Sequence, residues 1–375
     1  MRSRRCVFLL GVVLAMVMVF AFGVQSAMAL TSTDGNWEFN DIGGGNAELF
    51  AYTGTATDLA IPDSVTDAAA PGNTYTVTVL GNDLLNVQST GISLDTITHM
   101  PSSLKLIGER VFQDNQLVPS IDIPSGVTSI GSSAFINCQG LTSITIPNGV
   151  PTISDSLFQN CSGLESLVIP PDVTSVGNNS FNGCTALSSI SIPNKVTLIG
   201  TSAFAGCASM TSMTLGTSVQ SIGVSAFQLC SGLTSVTIPN SVTIINNNAF
   251  RGCTGLTQVT IGTGVTTIGT YAFAGSSTPY KLPNLKAAYF MGLAPTSMGG
   301  DGTTIFGSNT GPTGFKVYYF AGNGGGTWGF ERFALPPGPW PTSGRYATDY
   351  TPNILGVVTG AGSILPGAQV DLWKV

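Results

Sequence analysis

Residues 138–158 read CQGLTSITIPNGVPTISDSLF, and the chain repeats this phrase with small changes at one constant step. Phe112, Phe135, Phe158, Phe181, Phe204, Phe227, Phe250 and Phe273 keep that step without an insertion or deletion. Cys138, Cys161, Cys184, Cys207, Cys230 and Cys253 keep it too, each three residues after a Phe. A fixed period of this size marks a solenoid, because one such unit cannot bury its apolar side alone and must stack on its neighbours. Inside the unit, Ile144 and Ile146 alternate with Ser143 and Thr145, as in a strand with one face inward. Leu141, Val150, Ile153 and Phe158 complete the inward set. Glycine recurs at 131, 177, 200, 223 and 269, where a bend needs a permissive backbone, although Ser154 and Asn246 interrupt that column. The stretch before each Phe has room for one helical turn at most. It drives the ring into the core from the side opposite the strand.

Working outward, residues 1–29 read as a signal peptide. Arg2, Arg4 and Arg5 precede an apolar run from Cys6 to Val24, and Ala27, Met28 and Ala29 supply the small-residue pattern that a signal peptidase cuts. An uncleaved membrane anchor is the alternative. Cleavage removes three of the 13 basic side chains and none of the 19 acidic ones, so the net charge falls from −6 to near −9. Such a surface repels nucleic acid and anionic lipid. Charged residues are 9% of the chain, against about 25% in an ordinary soluble protein. Solubility therefore rests on Ser, Thr, Asn and backbone groups.

Residues 30–99 read as an N-terminal β cap. Two alternating runs, 37–39 and 47–52, flank Gly43, Gly44 and Gly45, and Ile61, Pro62 and Val65 form a degenerate first repeat. Such a cap covers the open edge of the first coil. Residues 100–276 are the solenoid. Residues 277–350, rich in Pro and aromatics (Tyr289, Phe290, Tyr318, Tyr319, Phe320, Trp328, Trp340), seal its other end, with a glycan or protein site on these aromatics as the second reading. Residues 351–375 form a hairpin-like tail or the start of a truncated further domain, their residues 356–370 resembling the opening strands of a carboxypeptidase-regulatory-like sandwich.

The phrase CxxLxxIxIPxxVxxIGxxAF closely resembles the BspA-type class of bacterial leucine-rich repeats. So do the flanking strands that end in an IPxxV phrase and the tail around residues 285–295, 317–319 and 328–329. The resemblance spans nearly all of residues 31–340. The expected fold class is a β-rich (α/β-type) right-handed solenoid, a leucine-rich repeat with parallel strands on one face. The Phe column and short helical turns lie on the other face, and β caps close both ends. The resemblance implies a surface or secreted protein that binds other proteins or promotes adhesion.

Six cysteines in an exported chain suggest bridges, but theirs is one column of parallel side chains. Their Cβ vectors do not converge to the separation of about 3.8 Å that a disulfide needs. Free, buried thiols are the favoured reading, and a line of sulfurs cannot surround a metal ion. His99 has no catalytic partner motif, and Asp122, Asp155, Glu165 and Asp172 fall on different columns. Gly324, Gly326 and Gly329 match a dinucleotide fingerprint in letters only, with no βαβ unit around them. No catalytic residue, cofactor or metal is expected.

The candidate site is the outward side of the strands, on the concave face. One row is Ser143, Ser166, Ser189, Ser212, Ser235 and Gln258; the next is Thr145, Val168, Ser191, Thr214, Thr237 and Thr260. A protein or surface-glycan ligand is expected there, polar and weakly held per residue, since Trp, Tyr and Arg are missing from the face. The competing reading is a passive spacer or envelope component, in which Ser and Thr merely suit an exposed sheet. Ordered water on the hydroxyl array, as in ice-binding solenoids, is a third reading, against which Val168 and Gln258 stand as irregularities.

Overall fold

The computed structural model describes residues 29–277, 282–292, 295–299, 305–306, 316–323, 327–333 and 357–359. The expected signal segment, Trp340 and most of the 351–375 tail lie outside them.

Each coil has three sides. The first carries a short strand such as Ser143–Ile144 or Ser189–Ser191. A turn closed by the Val150 N–H on the Pro147 carbonyl (3.1 Å) leads to the second side. The return segment there is itself a strand, as in Thr152–Ile153 and Ser175–Val176. Both strands pair in parallel with their equivalents one coil away: Ser189 with Ser212 and Ser191 with Thr214 on the first side, Ser175 with Leu198 and Ser221 with Ile244 on the second. Because side chains alternate with period 2, this register keeps every Ile and Val of the strands' inner face in one continuous core.

The third side carries the Phe rings. It is a run of hydrogen-bonded turns where the sequence suggested a short helical turn. Ser133 and Asn137 take left-handed backbone conformations (φ 59° and 61°), and the same two places recur at Ser156 and Asn160, Asn179 and Gly183, and Ser225 and Leu229. Their effect is seen in the hydrogen bonds. The N–H groups of Ser133, Phe135 and Asn137 reach the carbonyls of Asp155, Leu157 and Gln159 on the next coil at 2.9, 3.1 and 2.8 Å. A helical turn would spend those donors on carbonyls of its own coil. From Phe112 to Phe273 the rings stack with centroids 5.0–5.5 Å apart. None is exposed to solvent.

The glycine column at the bend reflects close approach rather than dihedral freedom. A Cβ on Gly131 would lie 2.5 Å from the Gly108 carbonyl carbon, and one on Gly223 equally close to that of Gly200. The side chains that do stand there, Ser154 and Asn246, turn back to bond the Ile130 and Ile222 carbonyls.

The N-terminal hairpin, Trp37–Gly43 with Asn46–Tyr52, passes through Gly43, Gly44 and Gly45, all with positive φ. It pairs onward through Thr74–Leu80 to Leu106–Ile107, so its sheet runs directly into the second-strand side. Asp58–Ala60 lies parallel to Thr96–His99, with Leu59, Ile61 and Val65 buried. One short helix, Val87–Thr90, is capped by the Asn86 side chain and by Gly91.

At the other end the stacking runs past residue 276. Ala287–Phe290 pairs with Gln258–Ile261, Ser297–Met298 with Thr267–Ile268, and the Phe306 ring lies 5.7 Å from that of Phe273. Lys316–Asn323 adds one more parallel strand, then Thr327–Phe333 and Val357–Thr359 follow antiparallel. Gly329, the last glycine of the fingerprint-like letters, sits inside a strand.

Candidate functional site

The outward rows of the first side come together as the alternation requires. Ser143, Thr145, Ser166, Ser189, Ser191, Ser212, Thr214, Ser235 and Thr237 are exposed, and Val168 is 81% exposed. Gln258 and Thr260 are only half-buried members of the face, because Ala287–Phe290 pairs alongside them. Thr214 donates to, or accepts from, the Ser191 hydroxyl at 2.9 Å, so part of the row is already bonded to itself.

A third row, not singled out in the sequence, borders these two. The hydroxyls of Thr142, Ser188, Thr211, Thr234 and Thr257 each donate to a backbone carbonyl of the coil before, at 3.0–3.4 Å. The signal was present, as a hydroxyl residue immediately before Ser143, Ser189, Ser212, Ser235 and Gln258 (Glu165 precedes Ser166), but its partner is backbone and so invisible to a motif search. The second-strand side has a matching row, in which Thr128, Thr174, Thr197, Thr243 and Thr266 reach back in the same way. Its outward strand positions are mixed: Thr152 and the partly exposed Leu198 and Ile244 share that side.

Cys138, Cys161, Cys184, Cys207, Cys230 and Cys253 are free and buried. Each thiol points at the carbonyl oxygen of the Phe one coil earlier, at 3.0–3.3 Å. Burial pushes the Cys138 and Cys184 thiols far up and Cys161 up to about 12, the reverse of what a nucleophile or metal ligand requires. Asn115 replaces cysteine in the first place of this column. Wholly buried, it accepts from the Leu94 N–H and donates to the Leu85 and Phe112 carbonyls.

The remaining ionisable groups clip coils together. His99 Nε2 lies 3.1 Å from Asp63 Oδ2, and Asp63 Oδ1 accepts from the Ser102 N–H. Arg110 grips Asp83 with two bonds of 2.8 Å, which hold that carboxyl below its usual range. Lys195 pairs with Asp172, and Asp155 accepts from the Asn178 N–H. Among the described residues no three His, Cys, Asp or Glu side chains gather as metal ligands. None of the described helices is long and apolar enough to cross a membrane.

The family model of the BspA type leucine rich repeat region matches residues 89–184 and 151–279, in six copies. This chain belongs to that family. Similar solved structures are leucine-rich repeat proteins or bacterial antigens. A leucine rich cell surface protein from Faecalibacterium prausnitzii is 24% identical, with 80% of this chain and 96% of that one covered and a TM-score of 0.39. A leucine-rich repeat protein from Eubacterium ventriosum is 19% identical, with 76% and 95% covered and a TM-score of 0.41. The pneumococcal vaccine antigen PcpA is 16% identical, with 80% and 95% covered and a TM-score of 0.37. No curated protein matches the chain.

Proposed function

We propose that this BspA-type repeat protein is exported by residues 1–29 and acts outside the cell as a non-catalytic binding or adhesion module. Residues 30–99 and 277–350 serve as caps in this reading, and the face of the first strands takes the ligand. The observation that carries it is the exposed, uncharged and mostly hydroxyl-bearing pair of rows from Ser143 to Thr237, tied coil to coil by side-chain bonds of the Thr211 and Thr234 type and, between Ser189–Ser191 and Ser212–Thr214, by a main-chain ladder. A repeating surface of this kind binds by breadth, many weak polar contacts summing over several coils. Its expected ligand is a protein or surface glycan with exposed hydrogen-bonding groups of its own.

The test is the mature chain with Ser189, Ser191, Ser212 and Thr214 all changed to Glu, assayed by retention on immobilised extracellular proteins and glycans. At least a tenfold loss of retention with an unchanged melting temperature is the expected result. Retention that survives the four charges untouched would leave the face as an inert flank and favour the spacer, a reading helped by the missing Trp, Tyr and Arg anchors.

A further inference from the structure

The coil that carries Phe158 is joined to its neighbours differently from the regular coils. Toward the coil before it, the second-strand ladder lapses. Ser129–Ile130 ends one sheet and Thr152–Ile153 begins another. Two residues explain the gap. Elsewhere the residue before the second strand donates its N–H to the previous coil, as Thr174 does to Pro151 and Thr197 to Thr174; Pro151 has no N–H to give. The bend residue likewise donates, as Gly131 does to Ile107 and Gly177 to Ile153, whereas Ser154 bonds the Ile130 carbonyl through its hydroxyl. Asn246, at the same place in a later coil, keeps its backbone bond to Ile222.

Past its ring, where residues 166–169 begin the next coil, the first-side strand ladder lapses, although the Ser188 N–H and hydroxyl still reach the Glu165 carbonyl at 3.2 Å. Residues 166–169 form one isolated bridge with Ser143 and none with Ser189–Ser191. Among the described residues, Val168 is left the most exposed of the large apolar side chains. The ring stack registers this junction as well: the Phe158 and Phe181 planes meet at 24°, while every other pair from Phe112 to Phe273 lies within 7°. Leu157 stands where Ala134, Ala203 and Ala226 stand in other coils, and the next residue in that file, Ser180, is buried with an unpartnered hydroxyl.

A lapsed strand ladder alone does not tilt the rings. Ser212–Thr214 and Ser235–Ile238 belong to separate sheets, yet the Phe204 and Phe227 planes are 3° apart, with the second-strand ladder unbroken beside them. Throughout the Phe158 region the ring side stays bonded, with N–H groups of Phe135 and Phe158 on the Leu157 and Ser180 carbonyls at 3.1 and 2.7 Å.

We propose that the coil carrying Phe158 is a joint. The ring side is its common hinge line, the second-strand side opens toward the N-terminal coils, and the first-strand side opens toward the C-terminal ones. The two gaps lie on different sides of the rod one coil apart, so the joint bends in two directions. It splits the solenoid into two stiff blocks and lets one block turn relative to the other.

Nitroxide labels test this in the full mature chain. One pair sits on the exposed Thr128 and Thr197, which span the joint, and the other on Thr197 and Thr266, likewise three coils apart but beyond it, where the second-strand ladder is unbroken. The distance distribution across the joint is expected to be at least twice as broad. Changing Pro151→Thr, Ser154→Gly and Leu157→Ala, each to the residue that other coils use, is expected to narrow it to the width of the second pair. Equal widths in the parent chain overturn the joint, and a width that the three changes leave intact overturns its origin in these residues.

Discussion

The coil that ends at Phe250 and the coil that ends at Phe306 build the same three sides from very different text. In the first, strand, return strand and ring follow the constant step. In the second, Ala287–Phe290, Ser297–Met298 and Phe306 take the same three columns, although Phe306 lies farther beyond Phe273 than that step allows. The surplus of chain is spread over the connections. A coil is thus defined by the ladders its neighbour offers, and the spacing in sequence is only the most economical way to meet them. What the closing coil gives up is closeness: its ring lies 5.7 Å from that of Phe273, where Phe204 has neighbours at 5.0 and 5.1 Å.

The largest effect should come from breaking the regular side of this comparison. Phe204→Ala is expected to cost about 3–5 kcal/mol and Phe306→Ala clearly less, measured by denaturant unfolding. Equal losses would make the closing coil as integral as the rest. Next is alkaline pH. The Cys161 thiol ionises only at about 12 in the folded chain but at about 8.5 when unfolded. Between those values the unfolded state holds fewer protons, so stability falls as pH rises, by up to about 1.4 kcal/mol per pH unit for each such group. The melting temperature should drop from about pH 8 to about pH 10.5, and Cys161→Ala should flatten that slope. Asn309 stands where a thiol would follow Phe306, so the loss belongs to the regular coils.

Smaller changes sharpen the picture. Ser180→Ala removes a buried hydroxyl that has no partner and gives that coil the alanine used elsewhere, so it should stabilise by about 1 kcal/mol in a thermal melt. Thr234→Val deletes one exposed bond of 3.4 Å and should cost no more than about 0.5 kcal/mol. A larger loss would mean that the threonine ladders carry stability as well as register.

The coil, its inward residues and the ring file were legible because they repeat, and repetition is a pattern in letters. Two things were not. The ring side reads in sequence as a short helix former, and only left-handed residues such as Ser133 and Asn137, which carry no compositional flag, turn it into a third ladder. In the closing coil the period is broken, and a broken period hides columns that exist only in space. For the candidate site, alternation placed the exposed rows, but the half-burial of Gln258 and Thr260 depends on a strand, Ala287–Phe290, that no repeat announced.

The cysteine thiols and the threonine hydroxyls that flank the strands, such as Thr211, reach back to the preceding coil, while the ring-side N–H groups reach forward to the next. The backward bonds suit construction from the amino end. As the polypeptide leaves the ribosome, every new turn meets acceptors already laid down by the turn before it, so assembly can keep pace with synthesis from the amino end. A chain cut short at its carboxyl end would lose turns singly, whereas one missing its beginning would have no surface on which to start.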